Sequence, residues 1–532
     1  MIHLLLFIFM PIGSAFIHYF LHNKISKYII TLTQAIMLIS NMYMIITLDR
    51  DAVRANALLN IPLPYGMALE LDYIALIFIT LNVVLFTTML LFAMQKPYFK
   101  PSFGLIFLSL EGILNAIFLS TDLFNVYVLL EITTVLATLL IMSQSENKSV
   151  YHALMYLMTN LVSMAFFLLG IGYLYKITGF LDFKHIEIAL SSLEDLRQLN
   201  LPFAFLFTGI SLKAAVFPLF SWLPKAHAAP SAPSVVSAVL SGIMVKSGIY
   251  VLIRLQMLFG AYLPIAELIL FLGYATSITG FIMAISQNHI KMILAYHTVS
   301  QMGLILIGLG YEDLYTLNGA LYHVMSHGLF KPLLFLIAGI LINHFHTHEI
   351  KDMHGLWSTS KPLSAMLLIA IFSITGAPFF SGSVSKSLIG GAAPSWAMMI
   401  LSAGTMISFI KFINVLKPMK KPPSHSIKGG LDLKLEQWIA MGTLSGLCVM
   451  LGLFSGPLSS LFLDLYFKKQ LIGLVTGGLE YILLFSFCII LYKLWLSKSR
   501  ILTTLRQIDV TFNQSSIAIM IFFFFFLAYL VK

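Results

Sequence analysis

Long apolar runs are the feature of this sequence that most limits its fold. A helix needs about 20 mainly apolar residues to cross a membrane, and the 532 residues contain sixteen such runs. Only 10% of the residues are charged, against about 25% in soluble domains. No globular core could bury this much apolar sequence. We therefore predict an all-α polytopic membrane protein, and a soluble enzyme or nucleic-acid-binding domain is excluded.

The first run lacks the basic start and small-residue cleavage site of a signal peptide, so we interpret it as a membrane span. A membrane β-barrel is not expected, because its strands are short alternating segments. The predicted spans are residues 1–21, 27–48, 67–94, 102–120, 123–142, 151–175, 201–220, 233–258, 262–286, 292–310, 314–342, 362–390, 395–416, 436–464, 473–495 and 512–530. The last is expected to be an anchor outside the main bundle.

The basic residues between spans predict the orientation. Connections after odd-numbered spans, together with the span ends beside them, hold eighteen of the 32 Lys and Arg, and the other connections with their span ends and the C-terminus hold nine. Cytoplasmic connections carry the excess of positive charge. We therefore predict a multi-pass protein of the inner (plasma) membrane, with both termini outside the cytoplasm.

Cofactor motifs are absent from the sequence. It has no CxxC, no Cys/His cluster with zinc spacing and no Gly-rich phosphate loop. Its two cysteines, Cys448 and Cys488, lie in apolar runs and are expected to be packed or lipid-facing. We predict no cofactor, no metal and no redox or hydrolytic site in this chain.

Charged residues inside the spans are the strongest functional signal. Each costs roughly 2.5–3.5 kcal/mol or more at a helix centre, so such residues face wet cavities or pair with each other. A buried lysine whose carboxylate partner approaches or recedes takes up and releases a proton near neutral pH. Several lysines with one glutamate therefore favour a proton relay over separate snorkelling or structural ion pairs. The candidates are Glu131, Lys213, Lys246, Lys331 and Lys386.

Histidines extend this set. His323 and His327 precede Lys331 at intervals of four residues, so all three line one helical face. Imidazoles titrate near pH 7 and can pass protons between lysines. A lone histidine would be interpreted as a packed core residue. Glu111, on the span before Glu131, could couple to the path, and Lys411 is expected to snorkel.

Helix breakers interrupt two spans. One contains VFPLFSWLPKAHAAPSAPS, which includes Pro218 and Pro230, and the other contains ITGAPFFSGSVSK, which includes Gly376. Each is the fourth helix of a five-helix block. Broken helices at matching positions of two halves indicate an ion site near the midplane, although an ordinary proline kink is the alternative.

Several motifs together resemble a known family. They are TDLFNVYVLLEITT, LKAAVFPLFSWLPKAHAAPSAPSVVSAVLSGIMVKSGIYVLIR, NHIKMILAYHTVSQMG, HVMSHGLFKPLLFLIAG and GAPFFSGSVSK, within roughly residues 100–400. The chain resembles the proton-conducting, antiporter-like membrane subunits. These are the D-type subunits of Mrp cation/proton antiporters and the large membrane subunits of energy-converting hydrogenases and respiratory complex I.

The resemblance implies a core of two inverted five-helix repeats, each with one broken helix. It implies that Glu131 is the carboxylate of the fifth helix, with Lys213 its partner on the seventh and Lys246 the central lysine on the eighth. It also implies that His327 serves the central relay, with His323 and Lys331 beside it, and that Lys386 is the terminal group on the twelfth helix. The domains expected are 1–98, N-terminal helices; 99–258 and 259–416, the repeats; and 417–532, C-terminal helices.

The predicted function is proton translocation in a multi-subunit complex, either as Na⁺/proton antiport or as redox-coupled pumping. The expected partners are other membrane subunits, with no nucleic acid. One alternative is a membrane subunit that energises or anchors a soluble catalytic partner at the cytoplasmic face. Others are a purely structural subunit, against which the buried charges argue, and a transporter of organic solutes, for which no bulky cavity is indicated.

Overall fold

Helices make up most of the computed structural model. It describes residues 2–21, 23–47, 54–57, 61, 63–64, 66–143, 147–228, 232–418, 431–463, 467 and 471–531. The predicted breaker Pro230 and most of the basic connection before residue 431 lie outside these residues. Within them, 13 helices are long and apolar enough to cross a membrane.

The helices follow the sixteen predicted apolar runs in order. They are α1 Ile2–Leu21, α2 Lys24–Thr47, α3 Tyr73–Ala93, α4 Pro101–Leu119, α5 Leu123–Ile141, α6 Asn147–Thr178, α7 Phe183–Ser191, α8 Asn200–Lys213, α9 Trp222–Ala228, α10 Ser234–Val239, α11 Val245–Phe259, α12 Ala266–Ser286, α13 Ile290–Gly310, α14 Leu314–Phe345, α15 Leu356–Thr359, α16 Lys361–Thr375, α17 Ser381–Ile389, α18 Ser395–Asn414, α19 Leu435–Leu453, α20 Ser455–Leu463, α21 Leu471–Leu494, α22 Arg500–Arg506 and α23 Phe512–Val531.

A short antiparallel ribbon precedes α3, where the sequence predicts the start of a span. Strands β1 (Arg54–Ala57) and β2 (Ala68–Leu71) pair with Arg54 opposite Leu71. Asp72 then begins α3 by accepting a hydrogen bond from the Ala75 amide at 2.8 Å, the usual role of an N-cap. The same carboxylate pairs with both terminal nitrogens of Arg254 at 2.6 and 2.8 Å, which ties α3 to α11.

Two predicted spans are broken, as the sequence indicates. The first is divided into α8 and α9, with Ala215 at φ 54° in the break. The second is divided into α16 and α17, with Gly376 at φ 84°. Both residues adopt the left-handed region, which an α-helix cannot continue through. Neither pair contains a helix long enough to cross alone, so neither is among the 13 spanning helices.

The C-terminal helices differ from the expectation in two respects. The run 436–464, predicted as one span, bends by 93° between α19 and α20. The expected outlying anchor, α23, instead packs against α8. Phe523 stacks on Phe205 with ring centroids 4.4 Å apart, and Phe526 stacks on Phe207 at 4.5 Å.

The most enclosed helices lie at the centre of the bundle. All residues of an 18-residue stretch within Ser234–Phe259 are buried, as are 94% of such a stretch in α13 and 89% in α14. Lys246, His323, His327 and Lys331 lie on these helices. These four sequence-predicted residues are therefore enclosed by protein rather than exposed to lipid.

Candidate functional site

Lys246 lies at the centre of the site and is fully buried. Between α10 and α11, residues Leu240–Met244 form one π-helical turn, an irregularity that is frequent at functional sites. The Lys246 ammonium donates to the Ser241 carbonyl at 3.0 Å and to the Gly242 carbonyl at 2.5 Å. Its third neighbour is His327 Nδ1, at 2.9 Å. An ammonium has three N–H donors; two have carbonyl acceptors here, and the third has one when His327 Nδ1 carries no proton.

The two predicted histidines of α14 connect separate helices. His327 contacts Lys246 through Nδ1, and its Nε2 is buried with no hydrogen-bond partner among the described residues. His323 lies one turn earlier, with ring centroids 6.2 Å apart. Its Nδ1 is 2.9 Å from the Ser385 hydroxyl and its Nε2 is 3.1 Å from Gln301 Oε1. His323 therefore links the Lys246 region to α17.

Lys386, next to Ser385 on α17, extends its side chain to the break between α16 and α17. Its ammonium donates to the carbonyls of Ile374 and Thr375, both at 3.1 Å. These carbonyls end α16 and have lost their helical partners, and the C-terminal end of a helix is partly negative. The broken helix thus creates the acceptors that hold this lysine.

Lys331, the last residue of the predicted stripe, is fully buried on α14. It donates to the Leu294 carbonyl of α13 at 2.8 Å. Its ammonium also lies 6.0 Å from the centroid of the Phe409 ring, a cation–π distance. A carbonyl and an aromatic face thus stabilise it, rather than a carboxylate.

Glu131 and Lys213 are neighbours, but they are not in direct contact. Lys213 donates to the Leu130 carbonyl at 3.3 Å and to the Thr134 hydroxyl. Both residues belong to α5, on either side of Glu131 along the helix. Among the described residues, Glu131 and Lys213 form no ion pair within 4.0 Å, and Glu131 Oε1 is buried without a hydrogen-bond partner there.

Three further buried residues join the predicted set. The sequence indicates one of them, His297, only as a source of polar contacts to the path, and it does not single out His227 or Lys291 as site residues. Lys291, assigned to a connection, lies inside α13 and donates to the Ala232 carbonyl at 2.8 Å. His227 and His297 are fully buried, and both nitrogens of each ring lack a partner among the described residues. The His227 ring stacks on Phe335 with centroids 4.6 Å apart, and the His297 ring lies 5.0 Å from Phe409, the ring that Lys331 also faces. The available signal was that Lys291 directly precedes an apolar run and that His297 lies within it.

Two cavities reach this set. One, the Lys291 cavity, has a volume of about 270 Å³ and is lined by Lys96, Lys291 and His348. The other, the Lys386 cavity, has a volume of about 790 Å³ and is lined by Lys386 and Gly390. The broken span α16–α17 begins after the connection that contains His348 and ends at the connection that contains Gly390. The two cavities therefore lie toward opposite ends of the helices.

A pair of histidines lies at the Lys291 cavity, outside the spans. The rings of His289 and His348 stack with centroids 4.9 Å apart and planes 15° apart. Burial, together with the nearby His348 and Lys291, lowers the pKa of His289 to about 4. His289 is therefore neutral at physiological pH.

Two other intramembrane residues are not part of this set. Lys411, expected to snorkel, is buried and donates to the carbonyls of Ile285 and Gln287, at 2.6 and 2.5 Å, where α12 ends. Glu111 is fully buried and accepts a hydrogen bond from Gln34 at 2.7 Å. No contact links Glu111 to Glu131 among the hydrogen bonds of the described residues.

Comparison with known proteins gives consistent matches. Residues 120–411 match the family described as NADH:quinone oxidoreductase/Mrp antiporter, TM. The D-type subunit of the Na(+)/H(+) antiporter of Alkalihalophilus pseudofirmus is 29% identical over 416 residues, which cover 76% of this chain and 83% of that protein.

Solved structures of related membrane complexes share the fold, and two of them illustrate the likeness. A chain of the Mrp complex from Dietzia sp. superposes with a TM-score of 0.76 at 20% identity and covers 94% of this chain and 99% of its own length. A chain of respiratory complex I from Thermus thermophilus superposes with a TM-score of 0.73 at 22% identity, covering 90% of this chain and 99% of its own. At these identities the likeness concerns the fold.

Proposed function

This chain belongs to the family of membrane subunits of NADH:quinone oxidoreductases and Mrp antiporters, and from that premise we propose that it translocates protons within a multi-subunit membrane complex. The exchange of protons for another cation, with Na⁺ as the first candidate, is the preferred form. The relative in Alkalihalophilus pseudofirmus is named as part of a Na(+)/H(+) antiporter. Redox-coupled pumping is the second form, since another match is a chain of respiratory complex I.

The contact between Lys246 and His327 carries this proposal. Two protonatable groups on different helices lie 2.9 Å apart and are fully buried. A proton moves between them without crossing lipid. Neither group has a carboxylate as an ion-pair partner among the described residues, so a fixed structural ion pair does not account for them.

The proposed path runs through seven residues. A proton reaches Lys246 from the side of Lys213, and the charge state of the Glu131–Lys213 pair sets the proton affinity of Lys246. From Lys246 the proton passes to His327 and His323, and then to Lys386 at the second helix break. Lys331 supports the central step from the same face of α14. The Lys386 cavity is the proposed outlet.

Membership of this family also supports a proposal for the partners, the domains and the location of the chain. Other membrane subunits are the partners, and the domains are those expected from the sequence, with two inverted repeats over 99–258 and 259–416. The proposed location is the inner (plasma) membrane with both termini outside. The Lys291 cavity then opens to the cytoplasm and the Lys386 cavity to the outside.

The experiment compares cation-driven proton flux in vesicles from cells that produce the complete complex. Lys246→Ala and Glu131→Ala should each abolish the flux while the subunit is still incorporated into the complex. Lys24→Ala, at an exposed helix start, is the control and should retain it. Normal flux in the Lys246→Ala vesicles would contradict the proposal.

The alternative is a membrane subunit that energises or anchors a soluble catalytic partner. Mass spectrometry of the complex in mild detergent separates the possibilities. Small hydrophobic partners alone support antiport. Iron–sulfur or nickel subunits support redox-driven pumping, and a single soluble partner supports the alternative.

A further inference from the structure

An acidic residue outside the proposed path faces the Lys386 cavity. Glu480 lies well inside α21 and lines this cavity together with Lys386. A carboxylate within a membrane helix is costly unless it faces water or an opposite charge. The cavity places a carboxylate and an ammonium around one space, which accounts for an acid at this position.

The helix that carries Glu480 is fastened to the break that holds Lys386. The hydroxyls of Tyr481 and Thr375 are 2.8 Å apart. Thr375 also supplies one of the two carbonyls that bind the Lys386 ammonium, at 3.1 Å. The residue next to Glu480 is thus linked through Thr375 to Lys386 itself. This connection fixes the position of α21 relative to the lysine.

The size of the cavity suits proton transfer through water. A water molecule occupies roughly 30 Å³ in the liquid, so about 790 Å³ admits several between the two groups. Ser383 and Ser387 line the same space. Such hydroxyls accept and donate hydrogen bonds and can orient a chain of water.

We propose that Glu480 is the proton acceptor that follows Lys386 in the outlet, so that α21 forms part of the translocation path. In this step a Lys386 N–H bond breaks and a Glu480 O–H bond forms, which leaves a neutral amine and a carboxylic acid. The acid then releases its proton to water outside. The proposal rests on the proposed function, because it assumes that protons reach Lys386.

The first test is proton flux in vesicles containing the complete complex. Glu480→Gln should lower the flux about tenfold or more, and Glu480→Asp should retain most of it. Glu267→Gln is the matched control, since Glu267 is another exposed acid on a membrane helix and lies in the first turn of α12. Wild-type flux in Glu480→Gln would overturn the inference.

A second variant tests the cavity without changing a charge. Gly477 lines the Lys386 cavity, and a Cβ atom added there meets no heavy atom within 4 Å. Gly477→Phe should therefore fill the cavity and slow the flux. Gly446→Phe is the control, because Gly446 is equally uncrowded on α19 but lies outside this cavity. Equal flux in the two variants would contradict an outlet here.

Thiol labelling separates this inference from the proposed function. Glu480→Cys, made in a chain with Cys448→Ala and Cys488→Ala, should react with a membrane-impermeant thiol reagent from one side of the membrane only. Absence of reaction from both sides would overturn the outlet whatever the flux. If Lys246→Ala keeps its flux, the proposed function fails. If Lys246→Ala loses it and Glu480→Gln does not, only this inference fails.

Discussion

The ammonium of Lys246 and the Nδ1 atom of His327 lie 2.9 Å apart in the interior of the bundle. Lys246 follows a π-helical turn and His327 lies in the middle of a continuous helix. The remaining donors of Lys246 are occupied by carbonyls of its own helix. The only side chain that Lys246 contacts by hydrogen bonding in the described structure is therefore a titratable one.

His327→Ala should reduce proton flux by about 10²-fold, the typical loss when a positioned proton-transfer group is removed. The reason is that Lys246 loses its side-chain partner and the path to His323 is interrupted. Flux in vesicles is the measurement. His354→Ala serves as the control, because His354 contacts only the Asn414 carbonyl in a connection. Equal flux in both variants would remove His327 from the path.

Thr134→Val should alter transport by changing the position of Lys213. The Thr134 hydroxyl accepts a hydrogen bond from Lys213, and bonds to charged groups contribute about 1.5–3 kcal/mol. Loss of this bond lets Lys213 move toward or away from Glu131. The dependence of flux on pH should therefore shift. Thr138→Val, which removes a hydroxyl bonded only to the Thr134 carbonyl, should leave that dependence unchanged.

Gly376→Ala should destabilise the second helix break. Gly376 has φ 84°, and an added Cβ would lie 3.0 Å from Cδ of Lys386. A non-glycine residue in this region costs about 1–2 kcal/mol, and Lys386 would also have to move. Thermal unfolding in detergent should occur at a lower temperature, and flux should decrease. Gly172→Ala, at an uncrowded helical position, should show neither effect.

Asp72→Asn should lower the free energy of unfolding by about 1.5–3 kcal/mol, the range for hydrogen bonds to charged groups. Burial alone would raise the pKa of Asp72, but hydrogen bonds and the charge of Arg254 outweigh it and lower the pKa. The stabilisation from the Asp72–Arg254 pair is therefore fully present when the pH is above the ordinary pKa of a carboxyl group. It is lost as the pH falls through the lowered pKa of Asp72. Asp313→Asn is the control, since Asp313 also begins a helix but has no ion pair among the described residues. Similar melting temperatures for both would refute the prediction.

Acidification should lower the melting temperature through His289, which stacks on His348 at the Lys291 cavity. The pKa of His289 is lowered to about 4, below the ordinary value of about 6.5. The folded state favours the neutral ring, whereas the unfolded chain takes up a proton below about pH 6.5. The free energy of unfolding should therefore be highest above that pH and decrease as the pH falls toward 4. His289→Asn should flatten the decrease in melting temperature across that window. His346→Asn, at an exposed position in a connection, should retain the decrease.

The sequence predicted much of the fold because only helices and closed β-barrels can cross a membrane. The number and order of the apolar runs, the two breaks and the family resemblance agree with the helices and with the family match. The limits of the runs agree less closely. The spans were predicted to begin at residues 67 and 292, but α3 begins at Tyr73 after a strand and α13 begins at Ile290. That two-residue difference placed Lys291 in a connection instead of the bundle.

The candidate site was only partly accessible to sequence reasoning. Charge in an apolar run identified the buried lysines, since each is costly and conspicuous there. His227 and His297 were less conspicuous, because an isolated histidine is usually a packed core residue. Their relation to Lys331 depends on packing between helices that are distant in the sequence. The transport roles of all these residues remain predictions for the experiments above.

By itself, the sequence determined that this chain spans a membrane many times and buries several titratable side chains, because apolar length and charge are properties of single segments. The tertiary structure decided what those side chains contact. Lys246, Lys331 and Lys386 all donate to backbone carbonyls. Every residue has a carbonyl, so residue type does not mark an acceptor. The carbonyls that bind Lys246 and Lys386 lie at an irregular turn and at a helix end, whereas the Leu294 carbonyl that binds Lys331 lies inside α13. Such acceptors have no signature in the sequence, so only the packed backbone reveals them.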